Sequence, residues 1–104
     1  MEPYTVRLTK TVHQARKDIP AKVRQALVGI IDSLAANPQP NTSKVLDPKD
    51  QSHTKGWEIR RIRHTDWRVI FAIHQDWKEV LILAIRQRPP YSYDDLADLL
   101  SELG

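Results

Sequence analysis

The chain has 104 residues, of which 16 are lysine or arginine and 13 are aspartate or glutamate, and it contains no cysteine. This length fits a single domain and is too short for a dinucleotide-binding dehydrogenase, a (β/α)₈ barrel or a kinase. The lack of cysteine excludes disulfide frameworks and thiolate metal sites, and 40% hydrophobic with 28% charged residues indicates a folded globular domain.

The net charge of +3 is distributed unevenly along the chain. Residues 1–43 carry six basic and three acidic side chains, residues 44–88 carry ten and six, and residues 89–104 carry none and four. A basic body with an acidic tail favours a polyanionic partner. No apolar run approaches the roughly 18 residues of a membrane span, and the N-terminus has no secretory pattern, so we expect a cytoplasmic protein without membrane contact.

The first part of the chain predicts one strand and a pair of helices. Polar and apolar residues alternate from Tyr4 to Leu8, which is typical of a half-buried strand. Thr9 or Thr11 can cap a first helix, and a second helix begins near Pro20, a residue that suits a first helical turn. The second helix has a continuous apolar stripe, so the two helices are expected to form a hairpin that packs on a sheet.

The remainder predicts strands at 57–63, 67–74 and 79–86, a further short strand at 44–46, and a terminal helix. Short connections between the three longer strands imply antiparallel neighbours. The acidic terminal helix has leucines at helical spacing. They are expected to pack on the protein's own sheet or hairpin; the alternative is that they bind a partner protein. We therefore predict an α+β fold: an N-terminal strand and helical hairpin on one face of a twisted antiparallel sheet of about four strands, plus a short C-terminal helix.

The densest basic stretch lies at 58–64. Strict strand alternation would place Ile59 and Ile62 on opposite faces, so we predict a bulge at Arg60-Arg61 that turns both isoleucines inward. The arginines are then expected to converge on the sheet face opposite the helices, where they either bind phosphate or pair with carboxylates on a solvated surface. Further arginines lie on the neighbouring strands or just after them, namely Arg68, Arg86 and Arg88.

Several aromatic side chains are candidates for other roles. His64, two residues before Asp66 and near Arg68 in the sequence, is the best candidate proton shuttle. Tyr91 and Tyr93 follow the last predicted strand, where either can stack on a base or transfer a proton. Trp57 and Trp67 are expected in the core or at its rim. No two histidines have the spacing of metal ligands, so we expect no metal or other cofactor.

These segments together resemble the RelE/ParE superfamily of bacterial type II toxins. The resemblance covers nearly the whole chain and is carried above all by Asp66-Trp67-Arg68-Val69-Ile70-Phe71, which is similar to the family's D-Y-R-V-I-Y strand. It also includes Lys44-Val45-Leu46, the basic segment Trp57 to Arg63, and the apolar strand Val80 to Ile85 followed by Arg88. The resemblance implies a small toxin with a cognate antitoxin protein as its partner.

In RelE-like members the toxin enters the ribosomal A site and cleaves mRNA without a metal, by attack of a 2′-hydroxyl on the adjacent phosphodiester. The resemblance implies that Arg68 contacts the phosphate and the transition state, assisted by Arg61 or Arg63 and by Arg88. The general base stays open among His64, Glu58, Tyr91 and Tyr93, because arginine remains protonated and is a poor base. The further candidates for RNA contacts are Lys44, Lys55, Arg60 and Arg86.

The resemblance leaves two other functions open. ParE-type members share the fold and inhibit DNA gyrase by binding, without the nuclease side chains. A noncatalytic RNA-binding relative is the third possibility. The set of arginines favours the ribonuclease, and fold alone does not distinguish the three.

Overall fold

The computed structural model describes residues 3–46, 56–88 and 96–103. Its elements in chain order are β1 (Thr5–Leu8), α1 (Lys10–Ala15), α2 (Ala21–Ser33), β2 (Ser43–Val45), β3 (Glu58–His64), β4 (Trp67–His74), β5 (Glu79–Gln87) and α3 (Leu96–Leu100). Single 3₁₀ turns follow α1 and α3, at Arg16–Asp18 and Ser101–Leu103. Within the described ranges, no helix has the length and apolar character needed to cross a membrane.

The two N-terminal helices begin where the sequence predicts. The Thr9 hydroxyl accepts a hydrogen bond from the Val12 amide at 3.4 Å, which caps α1. Pro20 has an extended conformation and immediately precedes the first residue of α2. The buried side of α2 presents Leu27 and Ile31 to the sheet. The predicted helical hairpin is therefore confirmed, with a 3₁₀ turn completing its short first helix.

The sheet has five strands in the order β1-β5-β4-β3-β2, not about four. The pairs formed by β2, β3, β4 and β5 are antiparallel, as predicted, but β1 pairs with β5 in parallel, so the sheet is mixed. After β1 the helical hairpin carries the chain to β2 on the opposite edge of the sheet, so β1 is left to pair with β5, the last strand in the sequence. The alternation in β1 predicts a strand but contains no information about its partner.

Both faces of the sheet are covered, and each has its own apolar core. The hairpin face packs on α1 and α2, and the α3 face packs on the C-terminal helix. Because β4 and β5 are buried on both sides, their sequences are almost continuously apolar rather than alternating. On the α3 face, the leucines of the C-terminal helix pack against strand residues, which confirms that these leucines cover the protein's own sheet; the ones described are Leu99, Leu100 and Leu103.

The second core explains why the predicted bulge at Arg60-Arg61 is wrong. Strand β3 pairs with β4 in unbroken register from Glu58 to His64. Ile62 therefore enters the core of the hairpin face, and Ile59 enters the core of the α3 face. A bulge is unnecessary because either face can bury an isoleucine. The register shift in the sheet lies instead between β4 and β5, where Ile70 pairs with Ala84 but Phe71 pairs with Ile82.

Truncating a leucine of α3 is expected to destabilise the whole domain. Leu100 is buried in the α3-face core, so Leu100→Ala should lower the free energy of unfolding by about 2–5 kcal/mol through lost burial and a residual cavity. Urea denaturation measures this change, with Asp98→Asn as the exposed control, which should cost less than about 0.5 kcal/mol. Equal, small effects of the two substitutions would show that α3 does not stabilise the sheet.

Candidate phosphate-binding site

Three arginines lie side by side across the three central strands of the sheet, at the end where β3 turns into β4. Arg63 on β3 is the register partner of Arg68 on β4, and Arg68 is in turn the partner of Arg86 on β5. Directly paired residues of antiparallel strands point to the same face, so this arginine row crosses three strands on the α3 face, over about 10 Å. Like charges in such positions repel one another unless neighbouring groups or a bound anion compensate them.

Two more cations extend the row towards the edge strand β2. Lys44 on β2 is the register partner of Arg61 on β3, and Arg61 lies two residues before Arg63 on the same face. Neither Lys44 nor Arg61 makes a hydrogen bond or ion pair with the described residues. The basic face, defined as Lys44, Arg61 and the arginine row, therefore carries five cations from four adjacent strands.

Arg68 is the central and most enclosed member of the row, with 8% of its surface exposed. Its Nη1 donates hydrogen bonds to the carbonyl oxygens of Thr65, at 3.1 Å, and Trp67, at 3.0 Å. In the described part of the chain, no carboxylate lies within ion-pair distance of Arg63 or Arg68. Burying a charge without a counter-ion is costly, so this site favours binding of an anion.

The hydrogen bonds of Arg68 determine which part of its guanidinium is available. Both hydrogens of Nη1 are directed to backbone carbonyls, whereas Nε and Nη2 have no partner among the described residues. These two nitrogens provide the parallel N–H groups that bind a phosphate through two hydrogen bonds. Arg68 is therefore held by one nitrogen and can bind an anion through the other two.

Arg60, expected to contact RNA, lies on the opposite, hairpin face. It is the register partner of Phe71, a residue of the hairpin-face core. Its Nε donates to Glu58 Oε2 at 2.8 Å, and its Nη1 donates to the Ser43 hydroxyl at 2.9 Å. Because no bulge turns it outward, Arg60 is paired with a carboxylate and is not part of the basic face.

Glu58, a candidate base, belongs to the same ion-paired cluster on the hairpin face. Partial burial raises the pKa of Glu58, but hydrogen bonds from Arg60 and from Gln39, together with the charge of Arg60, lower it below its usual value overall. A carboxylate with a lowered pKa and two donors already bound is a poor proton acceptor at neutral pH. Its position and its pKa both argue against Glu58 as the base.

His64, the candidate proton shuttle, is also placed away from the arginine row. It ends β3 as the register partner of Trp67, whose side chain packs against the hairpin-face core. Arg88 follows β5, and its amide donates to the Asp66 carbonyl at 2.6 Å, so this residue lies near the same end of the sheet as the row. The remaining predicted site residues, Lys55, Tyr91 and Tyr93, lie outside the described residues.

The turn between β3 and β4 contributes groups that the sequence analysis did not assign. Asp66 Oδ2 accepts a hydrogen bond from Gln87 Nε2 at 2.7 Å. This hydrogen bond is the main cause that lowers the pKa of the Asp66 carboxyl, and the Thr65 hydroxyl and the charge of Arg68 also lower it. Asp66 is therefore ionised at neutral pH. Its proximity to Gln87 follows from the strand register, which pairs Trp67 with Gln87, and not from any local motif.

A cluster of aromatic rings lies at the end of β4 away from the arginine row. His74 is the buried last residue of β4, as the predicted strand at 67–74 implies; its ring stacks on Trp77 with ring centroids 3.9 Å apart and meets the Trp57 ring edge-on at 5.1 Å. Trp57 and Trp67 occupy core and rim positions as predicted, whereas Trp77 is 62% exposed. The described residues contain no group of three or more histidine, cysteine or acidic side chains placed to bind a metal.

The sequence matches the model of a known protein family. Residues 6–89 match the family model described as the ParE toxin of a type II toxin-antitoxin system, parDE. None of the curated proteins matches the sequence significantly.

Solved structures also resemble the chain. The RelE-RelB complex of Pyrococcus horikoshii contains a chain with a TM-score of 0.72 and 24% identity, covering 86% of this chain and 99% of that one. A chain of the RelBE2 toxin-antitoxin complex of Mycobacterium tuberculosis has a TM-score of 0.66 and 26% identity, and the match covers 85% of this chain and 94% of that one. The isolated RelE toxin of E. coli has a TM-score of 0.62 and 9% identity, and the match covers 97% of this chain and 99% of that one. This match shows a shared fold. Because the family model spans most of the sequence and the fold agrees, the chain belongs to the RelE/ParE superfamily of type II toxin-antitoxin toxins.

Proposed function

We propose that this toxin is an endoribonuclease that cleaves mRNA on the ribosome and thereby inhibits translation. The observation that carries the proposal is the arginine row of Arg63, Arg68 and Arg86, on a face where Lys44 and Arg61 add positive charge. A concentration of arginines whose central member is buried, with no carboxylate of the described residues at ion-pair distance, fits a phosphodiester substrate.

The proposed reaction is an internal transesterification that uses no metal. The 2′-oxygen of one nucleotide forms a bond to the adjacent phosphorus, and the bond from that phosphorus to the 5′-oxygen of the next nucleotide breaks. A base accepts the 2′-hydroxyl proton, and an acid supplies a proton to the departing 5′-oxygen. The products are a 2′,3′-cyclic phosphate and a free 5′-hydroxyl, so atoms and charges balance.

In this reaction the arginines stabilise negative charge that increases in the transition state. The Nε and Nη2 groups of Arg68 bind two oxygens of the attacked phosphate, while Arg63 and Arg86 flank it from the neighbouring strands. Arg61 and Lys44 bind adjoining phosphates of the same RNA strand. Tyr91 and Tyr93 stay the proposed proton-transfer groups, because Glu58 and His64 belong to the opposite face.

The proposed partners are a cognate antitoxin and mRNA in the ribosomal A site, both in the cytoplasm. Similar structures from Pyrococcus horikoshii and Mycobacterium tuberculosis are toxin-antitoxin complexes, which supports an antitoxin partner for this chain. The alternative function is inhibition of DNA gyrase by binding, and the match to the ParE family model is the observation that favours it.

Two assays on the same induced cultures separate these functions. Primer extension on a translated mRNA should show new 5′ ends at codon-phased positions, and plasmid supercoiling by gyrase should stay normal. Cuts that disappear with Arg68→Ala support the ribonuclease. Intact mRNA with relaxed plasmid would establish the gyrase alternative, and growth unaffected by the toxin would indicate an inactive relative.

A further inference from the structure

The turn that joins β3 to β4 lies directly beside the arginine row. It contains only Thr65 and Asp66, because His64 and Trp67 are already paired. Thr65 has φ of +53°, a left-handed conformation that is rare for a β-branched residue and costs about 1–3 kcal/mol. Its hydroxyl lies 2.7 Å from the His64 carbonyl oxygen and 3.2 Å from Asp66 Oδ1. The tight two-residue hairpin imposes this conformation, because its turn types require a positive φ.

The backbone of the turn binds two members of the row. The Thr65 carbonyl accepts from Arg68 Nη1 at 3.1 Å and from Arg63 Nε at 3.5 Å. One carbonyl oxygen therefore draws together two guanidinium groups that would otherwise repel each other. The orientation of this carbonyl depends on the left-handed conformation of Thr65.

Asp66 connects the same turn to the strand that carries the third arginine. Its carboxylate accepts from Gln87 Nε2 at 2.7 Å, and its carbonyl accepts from the Arg88 amide at 2.6 Å. Gln87 immediately follows Arg86 in β5. Asp66 thus fixes the position of the turn, and with it Arg63 and Arg68, relative to Arg86.

An acidic side chain at this place is unfavourable for binding an anion. The Asp66 carboxylate partly offsets the positive potential that attracts phosphate, and its charge acts on Arg68. The benefit of holding the arginine row in place must therefore exceed the electrostatic cost of the Asp66 charge. A misplacement of about 1 Å in catalytic groups can lower a rate about 100-fold, so holding the row in place has a large effect.

We propose that Asp66, through its hydrogen bond to Gln87, is a positioning residue that aligns the arginine row for phosphate binding. This inference rests on the proposed phosphate-cleaving function. Asp66 does not touch the reacting atoms. It acts by fixing the turn whose carbonyl holds Arg63 and Arg68.

Four variants test the proposal on ribosome-bound mRNA, with kcat and KM measured separately. Asp66→Ala and Gln87→Ala should each lower kcat about tenfold with little change in the melting temperature. The double variant should be no worse than Asp66→Ala, because both changes remove one hydrogen bond. Asp66→Asn should stay within about threefold of the wild type, since its amide oxygen still accepts from Gln87. Equal losses in Asp66→Asn and Asp66→Ala, or unchanged kcat in Asp66→Ala, would overturn the proposal.

A readout independent of activity separates failure of this inference from failure of the proposed function. In ¹⁵N-labelled toxin, the Nε–H resonance of Arg63 should broaden or shift in Asp66→Ala and stay in place in Asp66→Asn. An unchanged resonance in Asp66→Ala overturns the positioning role whatever the toxin's target is. Absence of mRNA cleavage by the wild type, with the expected resonance changes, refutes only the ribonuclease.

Thr65→Gly provides the matched control for the turn itself. Glycine adopts positive φ without strain, so this variant keeps the turn and should raise the melting temperature by a few degrees. Its kcat should stay within about threefold of the wild type, because the carbonyl keeps its orientation. A tenfold fall in kcat with unchanged folding would show that the threonine side chain, not the turn geometry, is required.

Discussion

Replacing Arg68 with alanine is expected to lower the rate of mRNA cleavage on ribosomes about 100- to 1,000-fold. Arg68 is the central residue of the arginine row, with Nη1 bound to two backbone carbonyls and Nε and Nη2 available for a phosphate. Its loss removes two hydrogen bonds that strengthen as charge builds up on the phosphate oxygens. The effect should therefore appear mainly in the rate constant of the cleavage step. Single-turnover primer extension at saturating toxin measures this constant.

Arg68→Lys and Arg60→Gln make this result specific. Lysine retains the charge but cannot bind the two carbonyls and also offer two parallel N–H groups, so a loss of at least about tenfold is expected. Arg60→Gln removes an arginine from the hairpin face, where it pairs with Glu58, and should leave cleavage within about twofold of the wild type. Melting temperatures establish that each variant is folded. Full activity of a folded Arg68→Ala toxin would contradict the proposed mechanism.

The elements of the fold that were predictable are those with a strong local pattern. The apolar runs at 69–73 and 80–85 predicted β4 and β5, and the stripe of Leu27 and Ile31 predicted α2. The parallel pairing of β1 with β5 was not predictable, because it joins residues more than 70 positions apart. The bulge prediction in β3 failed for a related reason: it assumed one core, whereas α3 creates a second core that buries Ile59.

The candidate site was predictable in composition but not in arrangement. The density of arginines at 60–63 indicated a basic face, and the resemblance pointed to Arg68. Strand register alone decides that Arg61 belongs to that face and that Arg60 pairs with Glu58 on the other. The link between Asp66 and Gln87 likewise depends on how β4 meets β5. Local sequence reports which groups are present, and tertiary pairing decides which of them meet.

Binding of RNA is expected to weaken steeply as salt increases. Five cations of the basic face contact phosphates in the proposed complex, and each contact releases counter-ions from the RNA. For a single strand, five contacts give a slope of about −3.5 in a plot of log affinity against log salt concentration, which is about a 100-fold loss of affinity between 50 and 200 mM salt. Fluorescence anisotropy with a 2′-O-methyl RNA, which lacks the attacking hydroxyl, measures this slope without cleavage.

Arg60 and Arg61 form a matched pair for this measurement, because they are adjacent in β3 and face opposite sides of the sheet. Arg61→Gln should make the slope shallower by about 0.7, the contribution of one phosphate contact. Arg60→Gln should leave the slope unchanged, since its charge is already paired with Glu58. Equal slopes for the two variants would show that RNA does not distinguish the faces. The basic face would then be refuted as the RNA-binding surface, even if Arg68 were required for toxicity.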